Sequence, residues 1–547
     1  MPRVAVLGGG VSGAFFADSL RSRLPHEATL QLDVFEASGR LGGRLLDSAV
    51  YGDSADHAVE MGAAMFIGQN RYVAHAVASL GLESQCRATS TKGRSRLLVL
   101  GKDGAPVFEE SKHKVITLYR MAKRFGLRDV SKLTSRGLEF IANFSRFYEL
   151  QERGEAFASV KGLFQSVSMA QYPPSTCETV LGDMLSSASS SAADELVSAL
   201  MRNNYGQAWR PSGALCCFTA VAPLAAGGSK AAYRIVGGNA RMVEGLFARS
   251  GAVIHLNTTV HSVTTAPSGR YRLGIARTGS PSGGARMPAE ESSEQAFSEY
   301  DYVVLAAPCA SAIKSASDAA SQSETASSNL LGRCTRLPFQ VVHTTLVYGL
   351  IEPRFLGSRL SLPELNGGFS DILVADGSPL PFSSLGMQPS GGAQAEAAFK
   401  TCAKVLASPS NTKIKEVPRW KIFSEAPLSG ETLGGLFACH DENTIVHHPW
   451  DAPGAYPQSR PWPSSSDMSV GLKDGGNFIL HASNDDAEVG GMVLYPSAVE
   501  SATSAMEVMA VAANNAALLM HKDLARRGSL GAVPPTAGRS STSKEEL

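Results

Sequence analysis

Apolar positions along this chain follow two periods, and the change from one to the other marks its first fold unit. Val4-Ala5-Val6-Leu7 is a continuous apolar run, as a fully buried strand shows, and it ends in glycines. Ala14 to Leu24 then carries helical spacing, and Leu30 to Phe35 reads as a second strand. Strand, tight turn, helix and strand in that order open a βαβ unit. From about Lys112 to Met201 the period is helical, with Phe140, Phe144, Phe147 and Tyr148 at three- and four-residue spacing, a stripe that predicts core rather than a ligand pocket. Phe478 to Leu480 reads again as strand and Thr503 to Met520 as a long alanine-rich helix, so the opening pattern returns near the end.

Between these parts, Ala214 to Leu224 and Val341 to Leu350 are apolar runs that serve either as ordinary core strands or as the lining of an apolar channel. Gly279 to Glu299, Gly386 to Glu396 and Pro461 to Gly476 are rich in Ser, Gly, Pro or Ala and predict surface insertions. After Arg526 the tail has too little apolar content to pack.

The glycines after the first strand change the picture from fold to chemistry. Gly8-Gly9-Gly10-Val11-Ser12-Gly13 fits G-x-G-x-x-G between a strand and a helix. Gly8 permits the tight turn, Gly10 lets backbone approach a pyrophosphate, and Gly13 lets helix and strand pack closely, with Val11 and Ser12 in the first helical turn facing the phosphates. Glu36 ends the second strand, where an acid accepts hydrogen bonds from ribose hydroxyls.

Arg40-Leu41-Gly42-Gly43-Arg44 follows, and with it the sequence resembles the large FAD-dependent amine-oxidase-like group, whose second fingerprint is an acid followed by R-x-G-G-R. The resemblance implies FAD as the cofactor. Gly43 then lets backbone lie beneath the pyrophosphate, while Arg40 or Arg44 offsets its charge. By the same resemblance Gly62, Ala63, Ala307 and Ala505 join the cofactor site. Gly251 to Val260 is similar to the hairpin through which this group holds adenine, with Val260 in contact, and Asp301 to Pro308 to the strand that returns to the dinucleotide fold.

The fold class expected is α/β: a Rossmann-type FAD-binding domain interleaved with a mixed α+β substrate domain. Residues 1–110, 206–335 (with a flexible insertion) and 477–525 are assigned to the first. Residues 111–205 form a helical substrate region, 336–476 the substrate domain and 526–547 a disordered tail.

Further segments narrow the resemblance. Met201-Arg202-Asn203-Asn204-Tyr205-Gly206-Gln207, Gly237-Gly238-Asn239, Thr344-Thr345-Leu346-Val347, Trp420-Lys421-Ile422-Phe423-Ser424 and the region from Val499 to Leu519 resemble prenylcysteine oxidase segments, in order along nearly the whole chain. Pro496 and Ala498 depart from it, standing where members commonly have a more glycine-containing turn. The resemblance implies oxidation of the thioether of farnesylcysteine or geranylgeranylcysteine to cysteine, a prenyl aldehyde and hydrogen peroxide, in the degradation of prenylated proteins. Hydride leaves a carbon that is both allylic and next to sulfur, so the step needs no strong base. A greasy channel must align that carbon with the flavin, and a polar end must receive the amino and carboxylate groups. For the polar work the candidates are Tyr205, Gln207, His343 and Glu500. Glu500 precedes the last helix, whose N-terminus stabilises negative charge on reduced flavin. Two alternatives share the fold: an FAD-dependent amine or polyamine oxidase, and a non-enzymatic escort of prenylated GTPases that binds no flavin.

Composition sets the remaining bounds. At 547 residues the chain is too long for one simple core, and 44% hydrophobic with 18% charged residues describes a folded protein. Lys plus Arg and Asp plus Glu both number 50, which leaves no net field for nucleic acid. The expected partners are a small-molecule prenylcysteine and molecular oxygen, with peripheral contact to a membrane left open. The longest apolar stretch, Gly213 to Ala226, contains Pro223 and falls short of the roughly 20 residues that span a bilayer.

Cys86, Cys177, Cys216, Cys217, Cys309, Cys334, Cys402 and Cys439 show neither a C-x-x-C pair nor a disulfide-framework spacing and are expected to be ordinary thiols. His440, His447 and His448 lack metal-ligand spacing, and no metal is expected. With a strand beginning at Arg3, no secretory signal is read, so the lysosomal placement of animal members is not carried over and the compartment stays unassigned. Lys544-Glu545-Glu546-Leu547, though similar to an ER-retrieval tetrapeptide, is read as a solvated tail.

Overall fold

A computed structural model describes residues 1–25, 28–88, 96–187, 190–226, 232–277, 296–309, 329–334, 337–451, 454–462, 476–483 and 491–528. Its first sheet orders six strands as Ile479–Ala482, Met492–Leu494, Tyr302–Leu305, Arg3–Leu7, Gln31–Phe35 and Val253–His255. All neighbours run parallel except Ile479–Ala482, which is antiparallel to Met492–Leu494. Val4, Ala5 and Val6 have no exposed surface: Val4 and Val6 are buried among helices on one face, and Ala5 packs on the other against the three-stranded sheet of Thr258–Thr265, Tyr271–Arg277 and Ala296–Tyr300. Helix Val11–Arg23 packs against the closing helix Met506–Arg526, where Ala510, Ala513, Ala516 and Ala517 are fully buried with Ala14 and Ala17. Small side chains there let the two helices approach closely. The chain therefore visits this sheet at its beginning, middle and end, the α/β interleaving that the motifs predict.

The second sheet places eight strands side by side. Phe437–His440, Val342–Ile351, Arg419–Ser424, Ser384–Gln388, Asp371–Val374, Leu97–Leu100 and Pro106–Glu109 follow one another, and Val446–Trp450 pairs with Val342–Ile351. Asp371–Val374 and Leu97–Leu100 are parallel and the other pairs antiparallel. Residues 97–109 thus pair into this second sheet. Helices Lys114–Phe125, Leu127–Glu152, Cys177–Met184, Ser198–Tyr205 and Ala214–Ala225 fill the helical region.

Three expectations need correction. Ala214 to Leu224 is helix, not strand: Ala, Leu and Cys are compatible with helix, and the run is long enough that length decides between the two. Gly386 to Glu396 is no insertion, since Gly386 lies inside strand Ser384–Gln388 and Gly392–Thr401 is a helix. The cysteines are not all thiols: Cys177–Cys217, Cys309–Cys334 and Cys402–Cys439 are disulfides, with Cys86 and Cys216 free. Partners 40, 25 and 37 residues apart are brought together by tertiary packing, which local spacing does not encode. Most of the insertions at Gly279 to Glu299 and Pro461 to Gly476, and nearly all of the tail, lie outside the described residues.

Candidate active site

The turn after the first strand opens a cavity of about 590 Å³. Gly8 holds φ at +120°, a backbone region that side chains avoid, and its N–H donates to Phe35 O at 2.9 Å. A methyl group on Gly13 would sit 2.3 Å from Gly8 O, so Gly13 serves the close packing of helix on strand and does not line the cavity. Gly8, Gly10, Val11, Ser12, Glu36, Arg40, Gly43, Arg44, Gly62, Ala63, Val260, Ala307 and Ala505 all line it.

The cavity fits a dinucleotide on its own geometry. Helix Val11–Arg23 starts at Gly10 with no side-chain cap, leaving first-turn N–H groups for an anion. Ser12 Oγ is buried without a hydrogen-bond partner in the same turn, a donor suited to a phosphate oxygen. A methyl on Gly10 would meet no protein atom nearer than 3.9 Å and would take up cleft space instead. Glu36 is held at the rim by the turn itself: Oε2 accepts from Gly9 N at 2.7 Å, and Oε1 from Ser38 N at 2.9 Å and Ser38 Oγ at 2.7 Å. These features suit a dinucleotide.

The two arginines of the second fingerprint do different work. Arg40 folds back on its own turn, donating to Leu45 O and Gly43 O at 2.8 Å each. Arg44 reaches across to Glu500, Nη2 to Oε1 at 2.5 Å, and Ser504 Oγ donates to the same carboxylate oxygen at 2.8 Å. Glu500 is buried behind Arg44 and does not line the cavity, so it positions the arginine.

A second cavity of about 300 Å³ abuts the first, and Gly62, Ala63, Phe423, Tyr456, Ser504, Ala505 and Met506 line both. Its apolar part includes Phe66, Phe140, Ile141 and Phe144. The aromatic stripe is thus core on one side, with Phe147 and Tyr148 buried, and cavity wall on the other. Thr219, Ala222 and Pro223 of helix Ala214–Ala225 add to that wall, whereas from Val341 to Leu350 only Val342 lines a cavity, the first. Its floor is the second sheet, through Asp371, Ser384, Gly386, Gln388, Lys421 and Phe423.

Tyr205 lines this second cavity, and its hydroxyl donates to Ser504 O at 3.1 Å beside the N-terminus of the closing helix. Gln207 bridges Pro457 O and Ser459 N and lines neither cavity. His343 also lines neither. It stacks on His447, ring nitrogens 3.0 Å apart, because strand Val342–Ile351 points it away from the floor. His448 Nδ1 meets Tyr51 OH at 2.6 Å, and among the described residues no cluster of three or more His, Cys, Asp or Glu could hold a metal.

Sequence reasoning missed Lys421, Asp371, Glu60 and Glu507. Burial pushes the Lys421 pKa down to about 8 against the opposing pull of Glu60, and pushes that of Asp371 up. Glu507 accepts from Tyr72 N at 2.8 Å, Val73 N at 3.0 Å and Tyr148 OH at 2.7 Å, capping helix Arg71–Ser79, and burial raises its pKa to about 7. One signal was legible: Arg419-Trp420-Lys421-Ile422 alternates cations with large apolar residues, and a strand buried on both faces turns such cations inward.

Comparison with known proteins adds the family. The model of prenylcysteine lyase matches residues 108–529, most of the chain, and that of an NAD(P)-binding Rossmann-like domain matches residues 6–80. The chain belongs to the prenylcysteine lyase family. Prenylcysteine oxidase 1 of Mus musculus is 25% identical over 95% of this chain and 88% of its own length. Prenylcysteine oxidase 1-like of Bos taurus is 27% identical over 94% and 90%. Among solved structures, a cyclohexylamine oxidase from Brevibacterium oxydans has a TM-score of 0.53 at 15% identity, covering 96% of this chain and 99% of that one. Putrescine oxidase bound to putrescine has 0.50 at 14%, covering 94% and 98%. These neighbours share the family member's fold: a Rossmann-like sheet with an interleaved second domain.

Proposed function

We propose that this prenylcysteine lyase family member is an FAD-dependent oxidase that cleaves the thioether of a prenylcysteine to cysteine, a prenyl aldehyde and hydrogen peroxide. The observation that carries the reading is the junction of the two cavities, where an apolar chamber ends against a cleft built for a dinucleotide. Gly10, Ser12, Glu36 and Arg44 would hold FAD in that cleft, where it would supply the hydride acceptor and pass the electrons to molecular oxygen as peroxide.

The chain's own residues supply binding, alignment and dryness. Phe66, Phe140, Ile141 and Phe144 enclose an apolar chain. Burying about 15 prenyl carbons contributes at most roughly 10 kcal/mol before the costs of association are subtracted. Substrate thereby points its C1 at the junction. Gly62, Ala63, Phe423, Tyr456, Ser504, Ala505 and Met506 include no histidine or carboxylate, which suits hydride departure from a carbon that sulfur stabilises. The closing helix begins at this spot with no side-chain cap on Ala505, so its first N–H groups are available to developing negative charge. Water then adds to the sulfur-stabilised cation, and the hemithioacetal collapses to aldehyde and thiol.

Purified protein is tested for bound flavin and then mixed with farnesylcysteine without oxygen, with a polyamine panel in parallel. Bleaching of the flavin by farnesylcysteine alone, followed by peroxide on admission of air, is the expected outcome. Bleaching by a polyamine instead favours an amine oxidase. A protein unable to take up flavin, yet binding prenyl compounds, is an escort.

A further inference from the structure

We infer that Asp371 and Lys421, with Arg234 beside them, form a receptor for the free α-ammonium and α-carboxylate of the amino-acid head, held over the bare backbone of Gly386. The inference rests on the thioether-oxidase reading above for the identity of the ligand. Its geometry comes from the sheet.

Asp371 is directly paired with Gly386, and Gly386 with Lys421, across three antiparallel strands. Residues in register project from the same face, so an acid and a base flank a residue without a side chain, two strand spacings or about 10 Å apart at the backbone. All three line the second cavity, and a methyl group on Gly386 would touch only Gln388 Nε2 at 3.4 Å and Asp371 Oδ1 at 4.0 Å. Gly386 is therefore a notch in the cavity floor with opposite charges at its two ends.

The charges are not spent on each other. Lys421 is 6% exposed, and its one hydrogen bond among the described residues goes to the carbonyl oxygen of Glu60 at 2.9 Å, although an ammonium has three donors. The Glu60 carboxylate is already engaged by Leu46 N at 2.7 Å, Gly62 N at 3.2 Å and Asn239 N at 3.2 Å. Asp371 Oδ2 accepts from Ser370 Oγ at 2.6 Å, while Oδ1 has no partner among the described residues. Arg234 lines the same cavity and adds a second cation on the Lys421 side. Two cations at one end and an acid with a free oxygen at the other match a zwitterion in one orientation: carboxylate on Lys421, ammonium on Asp371.

Position along the strand fits as well. Phe423 lies two residues from Lys421 on the same face, about 7 Å away, and lines both cavities. Only Cα, Cβ and sulfur separate the head of a prenylcysteine from its C1. A head seated over Gly386 keeps C1 near the junction and directs the prenyl chain toward Phe140 and Phe144. Esterification or acylation of the head removes one charge, so prenylated peptides and methyl esters are disfavoured until both ends are free.

The test reduces flavin-loaded protein with dithionite under oxygen-free conditions, so that ligand binds without being consumed, and measures equilibrium binding of S-farnesyl-L-cysteine, its methyl ester and its N-acetyl derivative, with bleaching of the oxidised protein scored separately. The unmodified protein is expected to bind the free amino acid at least about tenfold more tightly than either derivative, the equivalent of one charge-assisted hydrogen bond. Lys421→Met is expected to erase the discrimination against the ester alone, and Asp371→Asn that against the N-acetyl compound alone. Equal affinity for all three ligands in the unmodified protein overturns the assignment, and this comparison needs no variant to fold. Discrimination without flavin bleaching sinks the oxidase reading and leaves the receptor standing. No binding of farnesylcysteine sinks both.

Discussion

Arg44 and Glu500, 456 residues apart in sequence, meet at 2.5 Å in the wall of the dinucleotide cleft. Glu500 is almost fully enclosed, and Arg44 keeps 29% of its side chain accessible on the cleft side. One carboxylate thus aims the arginine that faces the cleft.

Removing that carboxylate leaves a half-buried guanidinium with only weak contacts to Ala455 O and Ser504 Oγ. Glu500→Ala is therefore expected to cost about 2 kcal/mol of stability and to lower flavin content. Denaturant unfolding and the ratio of flavin to protein absorbance measure the two effects. Full flavin content with unchanged stability would contradict the positioning role.

Ser12 makes the complementary case, because its hydroxyl is buried without a protein partner. Ser12→Ala should leave the flavin-free protein as stable as before, or slightly more so. Affinity for FAD is expected to fall about tenfold, as one lost hydrogen bond to a phosphate implies. Calorimetric titration of flavin-free protein reads both. Glu36→Ala should likewise lower flavin retention, here with loss of the bond that tethers Gly9.

Farnesylcysteine binding should depend on pH through Lys421. Burial and the nearby Arg234 lower its pKa to about 8, against the raising effects of Glu60 and Asp371. The protonated form holds the carboxylate, so affinity is full below about pH 8 and declines as pH rises through it. KM measured across this range should climb while kcat at saturation changes little.

Cysteine chemistry offers a test of the packing. Alkylation of unfolded protein without reductant should label Cys86 and Cys216 alone, with the other six protected as disulfides. In the native state burial pushes the Cys216 thiol up to about 12 and raises that of Cys86 as well, so neither should react quickly at neutral pH. Labelling of all eight in unreduced protein would refute the pairing.

The dinucleotide half was legible because its chemistry is written locally. The turn from Gly8 to Gly13, Glu36 and the Arg40 to Arg44 segment lie within a short stretch, and most of them line the cleft. The second cavity was not, because its floor joins residues from three strands in lateral register. Asp371, Gly386 and Lys421 are neighbours only after pairing, and Gly386 looked like loop composition because a notch and a turn both call for glycine. His343 misled for a related reason. Its neighbours Val342 and Thr344 are apolar or buried, but alternation along the strand sends the imidazole to the opposite face. Phe144 belongs to a stripe that helical spacing assigns to core, and spacing alone does not tell a packed wall from one with a cavity behind it.

The order in which the first sheet is filled has a cost during synthesis. Tyr302–Leu305 gains its outer neighbour only when Met492–Leu494 arrives, and helix Val11–Arg23, flanked earlier by helix Ala240–Ser250, has its alanine face covered by the helix that ends at Arg526. Until the chain as far as Arg526 has left the ribosome, the nascent sheet presents an open edge and an unshielded alanine face. Chains ending early should therefore go to aggregation or proteolysis rather than persist as a smaller nucleotide-binding unit.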